Sequence, residues 1–195
     1  MKKRIDFGGF AILLIVAIVI SIMAFRADLL TFNIPQILQA PSSSTTNETE
    51  SGHTSTEKQL AQRLFNQINS DRAAQGLPAY TWNNTLAKGA FQHNVTMTTT
   101  GCNLAHQCPN EPEPCQRVTN EGISWMACGE NIGYTSPYPN AWTAIKQNIE
   151  GGMLAEKPPE DGHRQNLLNT NFQQIGVAVL FDAQGKAWVT EDFTN

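Results

Sequence analysis

Two histidines and two glutamates are the side chains of this 195-residue chain best suited to chemistry: His106, Glu130, Glu156 and His163. We expect all four to lie in loops or at the ends of elements, where functional groups are commonly carried. Two imidazoles that converge in a cleft can bind Zn²⁺, and a carboxylate or a water completes the coordination shell. The same four residues could instead form a hydrogen-bonded cluster that holds loops together.

A zinc site on His106 and His163 would have a defined pH dependence and a defined chemistry. Only neutral imidazole binds the metal, so zinc affinity should fall as the pH drops through about 6.5. Hydrolysis would then use Glu130 or Glu156 as the general base. We interpret His93, on a predicted helix, as a core or helix-face histidine. The chain has no Gly-x-Ser-x-Gly, His-Glu-x-x-His or phosphate-loop motif.

The four cysteines of the chain lie close together in sequence, at Cys102, Cys108, Cys115 and Cys128. An even number of cysteines in an exported chain predicts disulfides. Three connectivities are possible, and the nested one would join Cys102 to Cys128 and Cys108 to Cys115. A structural zinc site is the alternative, but the absence of a Cys-x-x-Cys pair disfavours it.

The N-terminal part of the chain predicts a membrane anchor. Residues 1–6 form a basic cytoplasmic tail, and residues 7–25 carry no charge. At about 1.5 Å per residue these 19 residues span about 28 Å, close to the hydrocarbon core of about 30 Å. The basic tail places the rest of the chain outside the cell membrane. A cleaved signal peptide, which would leave a secreted protein, is the alternative.

Residues 26–55 form a predicted Ser/Thr-rich flexible linker, and residues 56–195 form the folded domain. Residues 27–195 contain nine basic and 16 acidic residues, a net charge of −7. No Lys/Arg stripe occurs in this part of the chain, so nucleic acid is excluded as a partner.

The pattern of apolar residues predicts an α+β domain. Leu60, Leu64 and Ile68 recur at helical spacing, and the continuous apolar run at residues 175–181 predicts a strand that is covered on both faces. We therefore expect an α-β-α sandwich with a short antiparallel sheet between helices. The expected elements are helices at about 56–75, from 84 and at 140–153, a helical turn at 164–168, strands at 175–181 and 186–193, and a loop over 99–128.

Three short motifs resemble the CAP superfamily of cysteine-rich secretory proteins, venom allergens and plant pathogenesis-related proteins. They are Asn-Leu-Ala-His at 103–106, Gly-Glu-Asn-Ile at 129–132 and Gly-His-Arg-x-Asn-Leu-Leu at 162–168, and the likeness covers most of residues 57–193. The resemblance implies a central cleft with two histidines and two glutamates. His106, Glu130 and His163 match it directly.

The fourth cleft position departs from the animal and plant pattern, in which a glutamate follows a Trp on a helix. The corresponding residue here is Lys146, so Glu156 is our substitute and Glu150 the alternative. The resemblance implies an extracytoplasmic binding module of bacterial type for lipid or for an envelope or protein partner. A zinc-dependent hydrolase-like enzyme and a structural adhesion domain are the alternatives.

Overall fold

The computed structural model describes residues 53–137 and 139–195, without the side chains of Ile149 and Glu150. The predicted cytoplasmic tail, the predicted membrane anchor and most of the predicted linker lie outside these residues. None of the helices that the structure describes is long and apolar enough to cross a membrane.

Helices flank a four-stranded sheet. Along the chain the elements are α1 (Ser55–Ala74), β1 (Thr81–Trp82), α2 (Asn84–Thr100), α3 (Pro114–Asn120), β2 (Cys128–Tyr134), α4 (Ala141–Gln147), a π-helical segment (Asn148–Met153), α5 (Gly162–Leu168), β3 (Gln174–Phe181) and β4 (Ala187–Thr194). The α+β class is confirmed.

The sheet is mixed, which corrects the antiparallel sheet that we predicted. Its strand order is β1-β3-β4-β2, and β4 pairs antiparallel with both of its neighbours. The two-residue strand β1 runs parallel to β3, with Thr81 opposite Gln174. A strand this short has no sequence period that could reveal it, and hydrogen bonds such as that from Thr81 N to the Gln173 carbonyl (2.8 Å) define it.

Both faces of β3 are covered, as predicted. Val177 and Val179 pack with Leu64 of α1 in the main core. On the other face, a Cβ atom at Gly176 would overlap the backbone of Ala87 in α2. Glycine at this position therefore allows α2 to approach the sheet closely, and the domain is an α-β-α sandwich.

Helix α1 begins with a capping box at Thr54. The Thr54 hydroxyl accepts a hydrogen bond from Glu57 N (3.2 Å), and Glu57 Oε2 accepts one from Thr54 N (2.8 Å). His53 stacks on Phe91 of α2 with ring centroids 4.0 Å apart. Residues 53–55, which we had predicted to belong to the flexible linker, are therefore part of the folded domain.

Two other predictions are wrong in detail. Residues 99–128 contain the helix α3, which we had predicted as loop. The predicted helix at 140–153 is α-helical only as far as Gln147 and continues as a π-helix to Met153. Strand β2 had no predicted counterpart, because Gly and polar residues dominate it. Its structure follows from pairing along its whole length with β4.

Candidate functional site

His106 and Glu130 form the first of two histidine–glutamate pairs. Glu130 lies within β2, not in a loop or at the end of an element as predicted, and its side chain is 1% exposed. His106, from the segment between α2 and α3, places Nδ1 2.8 Å from Glu130 Oε1. A carboxylate only accepts hydrogen bonds, so Nδ1 donates and Nε2 remains the nitrogen that can accept a proton or bind a metal. The His106 side chain is 52% exposed, which makes it accessible to a ligand.

Arg117 of α3 holds this pair in place. Its guanidinium forms an ion pair with Glu130 Oε2 and donates to the backbone carbonyls of His106 (2.8 Å) and Pro112 (3.1 Å). Sequence reasoning missed this residue. Its position close to Cys115 was the only available signal. That position predicts a contact with Glu130 only when the disulfide pairing is known.

The four cysteines form two disulfides, Cys102–Cys108 and Cys115–Cys128. Disulfide formation is confirmed, but the nested connectivity is wrong, and no cysteine is free. The second disulfide joins α3 to the start of β2, with Cα atoms 5.9 Å apart. It therefore brings Arg117, two residues after Cys115, to Glu130, two residues after Cys128.

His163 and Glu156 form the second pair. Glu156 lies in the turn before α5, and its Oε1 is 2.5 Å from Nδ1 of His163. Its Oε2 accepts hydrogen bonds from the backbone N–H groups of His163 (3.0 Å) and Arg164 (3.3 Å). The carboxylate thus satisfies free donors at the N-terminus of α5 and orients the imidazole. The side chain of the alternative residue, Glu150, is not described.

Asn131 and Asn166 connect the two pairs. Asn166 donates to Asn131 Oδ1 (2.9 Å) and to the carbonyl of Glu130 (3.2 Å). Asn131 donates to the carbonyl of His163 (3.2 Å) and to Glu191 Oε2 (3.0 Å). The network ties β2 to α5 and so sets the positions of both histidines. Sequence reasoning missed these amides, although both belong to the motifs that it used.

Two buried acids lie on opposite faces of β4 next to the site. Burial raises the pKa of Glu191 to about 8, and the hydrogen bond from Asn131 opposes that shift. Burial, and then the negative charge of Glu130, raise the pKa of Asp192 well above its usual range. Asp192 is the cross-strand partner of Glu130 in the β2–β4 register. A proton on Asp192 therefore keeps two adjacent carboxyl groups from both being charged.

Within the part of the chain that the structure describes, one group of three potential metal ligands has its ligand atoms within 4.8 Å of one another. The group is His93, Cys108 and Glu111. It does not include His106 or His163, the residues that we had predicted as zinc ligands. His93 is fully buried, as predicted for a core histidine, with Nδ1 3.0 Å from Glu111 Oε1 and Nε2 3.0 Å from the Ala105 carbonyl.

A groove of about 830 Å³ lies between α1 and α2, away from the histidine pairs. Its apolar walls include Trp82, Phe91 and Val177, and its charged lining residues are Lys58 and Lys88. No acidic residue is among the described residues that line it. The remaining lining residues are His53, Ala61, Gln62, Asn84, Thr85 and Ala87.

Comparison with known proteins agrees with this fold and with these motifs. The family model described as "CAP: Cysteine-rich secretory protein family" matches residues 65–193. The chain belongs to the CAP family. The uncharacterised protein YkwD of Bacillus subtilis (strain 168) is 27% identical over 153 residues, which is 78% of this chain and 54% of YkwD.

Two solved structures have a similar fold. One is an extracellular protein of Bacillus anthracis that contains an SCP domain, with 26% identity and a TM-score of 0.58 over 71% of this chain and 41% of that chain. The other is an outer surface protein of Borrelia burgdorferi, with 18% identity and a TM-score of 0.58 over 71% of this chain and 93% of that chain. The chain spans only about half of the length of YkwD and a smaller share of the length of the B. anthracis protein. A CAP domain with two disulfides is an extracellular domain.

Proposed function

We propose that this CAP domain is an extracytoplasmic binding module that holds an amphipathic anion, of the fatty-acid class, in the groove between α1 and α2. The composition of the groove is the observation that carries the proposal. Its volume of about 830 Å³ falls in the usual range for small-molecule sites, which are mostly apolar with a few polar groups. Trp82, Phe91 and Val177 offer surface to an alkyl chain, while Lys58 and Lys88 offer positive charge to its carboxylate.

Both ends of such a ligand contribute to binding. Burial of the alkyl chain supplies about 0.8 kcal/mol for each methylene. The carboxylate, held near lysine side chains that face solvent, adds about 0.2–1 kcal/mol for each ion pair. The apolar tail therefore sets the affinity, and the lysines select anions over cations of equal length. An N-terminal anchor, which stays a prediction, would hold such a module close to membrane lipid.

The test is isothermal titration of residues 47–195 with dodecanoate and with dodecyltrimethylammonium, each below its micelle concentration. We expect the anion to bind at about 1:1 and to bind more tightly than the cation. Lys88→Glu should weaken dodecanoate binding roughly 3- to 10-fold, because it converts an attraction into a repulsion. Lys157→Glu is the matched control, since Lys157 is exposed and does not line the groove. Equal affinity for the two amphiphiles would refute the proposal.

The histidine–glutamate pairs favour a second candidate function, which is metal-assisted hydrolysis. In each pair a carboxylate contacts Nδ1 and leaves Nε2 free, which is the arrangement that usually orients a metal-ligating histidine. In this proposal Glu130 and Glu156 orient His106 and His163 instead of acting as the general base. A metal held by the two histidines would activate a bound water as the nucleophile.

A zinc titration of the oxidised residues 47–195 tests this second candidate. We expect binding at about 1:1 that is lost in the His106→Ala/His163→Ala variant. If the double variant retains full zinc affinity, these histidines are not the ligands and the hydrolase proposal fails. The dodecanoate titration of the same variant should be unchanged, so the two candidate functions can be rejected separately.

A further inference from the structure

His93, Cys108 and Glu111 form a further cluster of potential ligands beside the His106–Glu130 pair. His93 Nε2 lies 4.0 Å from Glu130 Oε2, and Arg117 Nη1 lies 3.7 Å from Glu111 Oε2. Their ligand atoms lie within 4.8 Å of one another. Cys108 is 2% exposed and His93 0%, and the Glu111 side chain is 10% exposed. Thiolate, imidazole and carboxylate together are a ligand set that suits Zn²⁺. In the oxidised protein the set is incomplete, because Cys108 is bonded to Cys102 and has no thiolate.

The hydrogen bonds of His93 already favour its use as a ligand through Nδ1. Nε2 is 3.0 Å from the Ala105 carbonyl, which only accepts, so Nε2 carries a proton. Nδ1 lies 3.0 Å from both oxygens of Glu111, which is also an acceptor. A proton must lie between Nδ1 and the carboxylate, and a metal ion could replace it there. A carbonyl that accepts from the second ring nitrogen is the usual support of a metal-bound histidine.

The surroundings hold the carboxylate and leave a path for an ion. Glu111 Oε2 accepts a hydrogen bond from the backbone N–H of Cys108 (3.1 Å), so the carboxylate is fixed to the cysteine loop. An open pocket of about 370 Å³ is lined by His93, Glu111 and Arg117 and by polar residues such as Gln92 and Asn120. A water in this pocket could complete a four-coordinate shell.

We propose that His93, Cys108 and Glu111 form a Zn²⁺ site that becomes complete only when the Cys102–Cys108 disulfide is reduced. A dithiol reductant attacks the Cys102–Cys108 disulfide by thiol–disulfide exchange. The reductant is oxidised to a disulfide, and its two electrons and two protons pass to Cys102 and Cys108, which become thiols. Zn²⁺ then binds the Cys108 sulfur and displaces its proton, together with the proton between His93 and Glu111. The Cys115–Cys128 disulfide takes no part, so it continues to join α3 to the start of β2.

The test compares two serine variants of the full chain, Cys102→Ser and Cys108→Ser, in non-ionic detergent. Both lack the same disulfide and have one free thiol, but only Cys102→Ser keeps the thiol beside His93. Co²⁺ is the probe, because a thiolate–cobalt bond has a near-ultraviolet charge-transfer absorption that histidine and carboxylate ligands lack. This absorption distinguishes the site from any metal bound at His106 and His163.

We expect Cys102→Ser to show this absorption at about one Co²⁺ per chain and Zn²⁺ to abolish it. Loss of a group outside the ligand shell already costs about 10- to 100-fold in metal affinity. The affinity of Cys108→Ser should therefore be at least about 100-fold weaker, and Glu111→Gln in the Cys102→Ser background should weaken binding by a smaller factor. If the two serine variants bind Co²⁺ alike, or if Cys102→Ser has no thiolate absorption, the proposal is wrong.

A second measurement on the unaltered sequence does not depend on the folding of either variant. The full chain is reduced with a limiting dithiol and alkylated with a maleimide, with and without Zn²⁺, and the modified cysteines are mapped by mass spectrometry. We expect Zn²⁺ to protect Cys108 at least about 10-fold more than Cys102, because a bound thiolate is a poor nucleophile. Equal alkylation of Cys102 and Cys108 in the presence of Zn²⁺ would overturn the proposal.

Discussion

Replacement of Glu191 by glutamine should stabilise the domain, and the gain should grow with pH. Glu191 is fully buried, and Asn131 is its hydrogen-bond partner through Oε2, while Oε1 has no partner among the described residues. Its pKa is raised from 4.5 to about 8 by burial. Between these two values the folded state holds a proton that the unfolded state has lost. The contribution of Glu191 to the free energy of unfolding is therefore fully present below pH 4.5 and is lost as the pH rises toward 8.

The magnitude follows from the two pKa values. At about 1.36 kcal/mol for each pH unit, the rise from 4.5 to about 8 corresponds to at most about 5 kcal/mol. Glutamine has the shape of protonated glutamate and keeps an oxygen for Asn131. We therefore expect Glu191→Gln to change the free energy of unfolding by less than about 1 kcal/mol at pH 4.5, and to raise it by about 2–4 kcal/mol at pH 8.5.

Urea denaturation of residues 47–195, with the disulfides intact, measures this effect at several pH values from 4.5 to 9. The quantity of interest is the difference between the variant and the wild type, in which the contributions of Asp192 and other acids cancel. Glu160→Gln is the matched control, because Glu160 is exposed, and its curve should follow the wild type within about 0.5 kcal/mol. A stability difference for Glu191→Gln that does not change with pH would refute the reasoning.

Three further substitutions test the contacts that shape the domain, and urea denaturation measures each. Arg117→Met leaves Glu130 buried without its cation and should cost about 3–5 kcal/mol. An effect below about 1 kcal/mol would show that His106 alone is enough to stabilise the buried Glu130 carboxylate. Arg72→Met removes hydrogen bonds to the carbonyls at 78, 167 and 169 and should cost about 2–4 kcal/mol, with exposed Lys157→Met as its control. Gly176→Ala should cost more than about 2 kcal/mol, because its Cβ meets the backbone of α2, and a neutral result would mean that α2 can move away.

Local sequence signals predicted the elements that have a strong period or a strong boundary. The apolar stripe through Leu64 and Ile68 identified α1, and the glycine at position 76 marked its end. The continuous apolar run identified β3 and its burial on both faces. The motifs around Glu130 and His163 also identified the family, because each motif is a short run of residues and needs no knowledge of the fold.

The amino-acid sequence by itself determined most of the helices, though not α3, and it determined the β3–β4 hairpin, the family and the identity of the four histidine and glutamate residues. Only the tertiary structure decided how they are arranged. Strand β2 exists because β4 pairs with it, Arg117 reaches Glu130 because Cys115 bonds to Cys128, and Asn131 joins the two pairs across β2 and α5. These contacts connect residues far apart in the chain, and a periodic pattern or a short motif carries no information about which distant residue a side chain will meet.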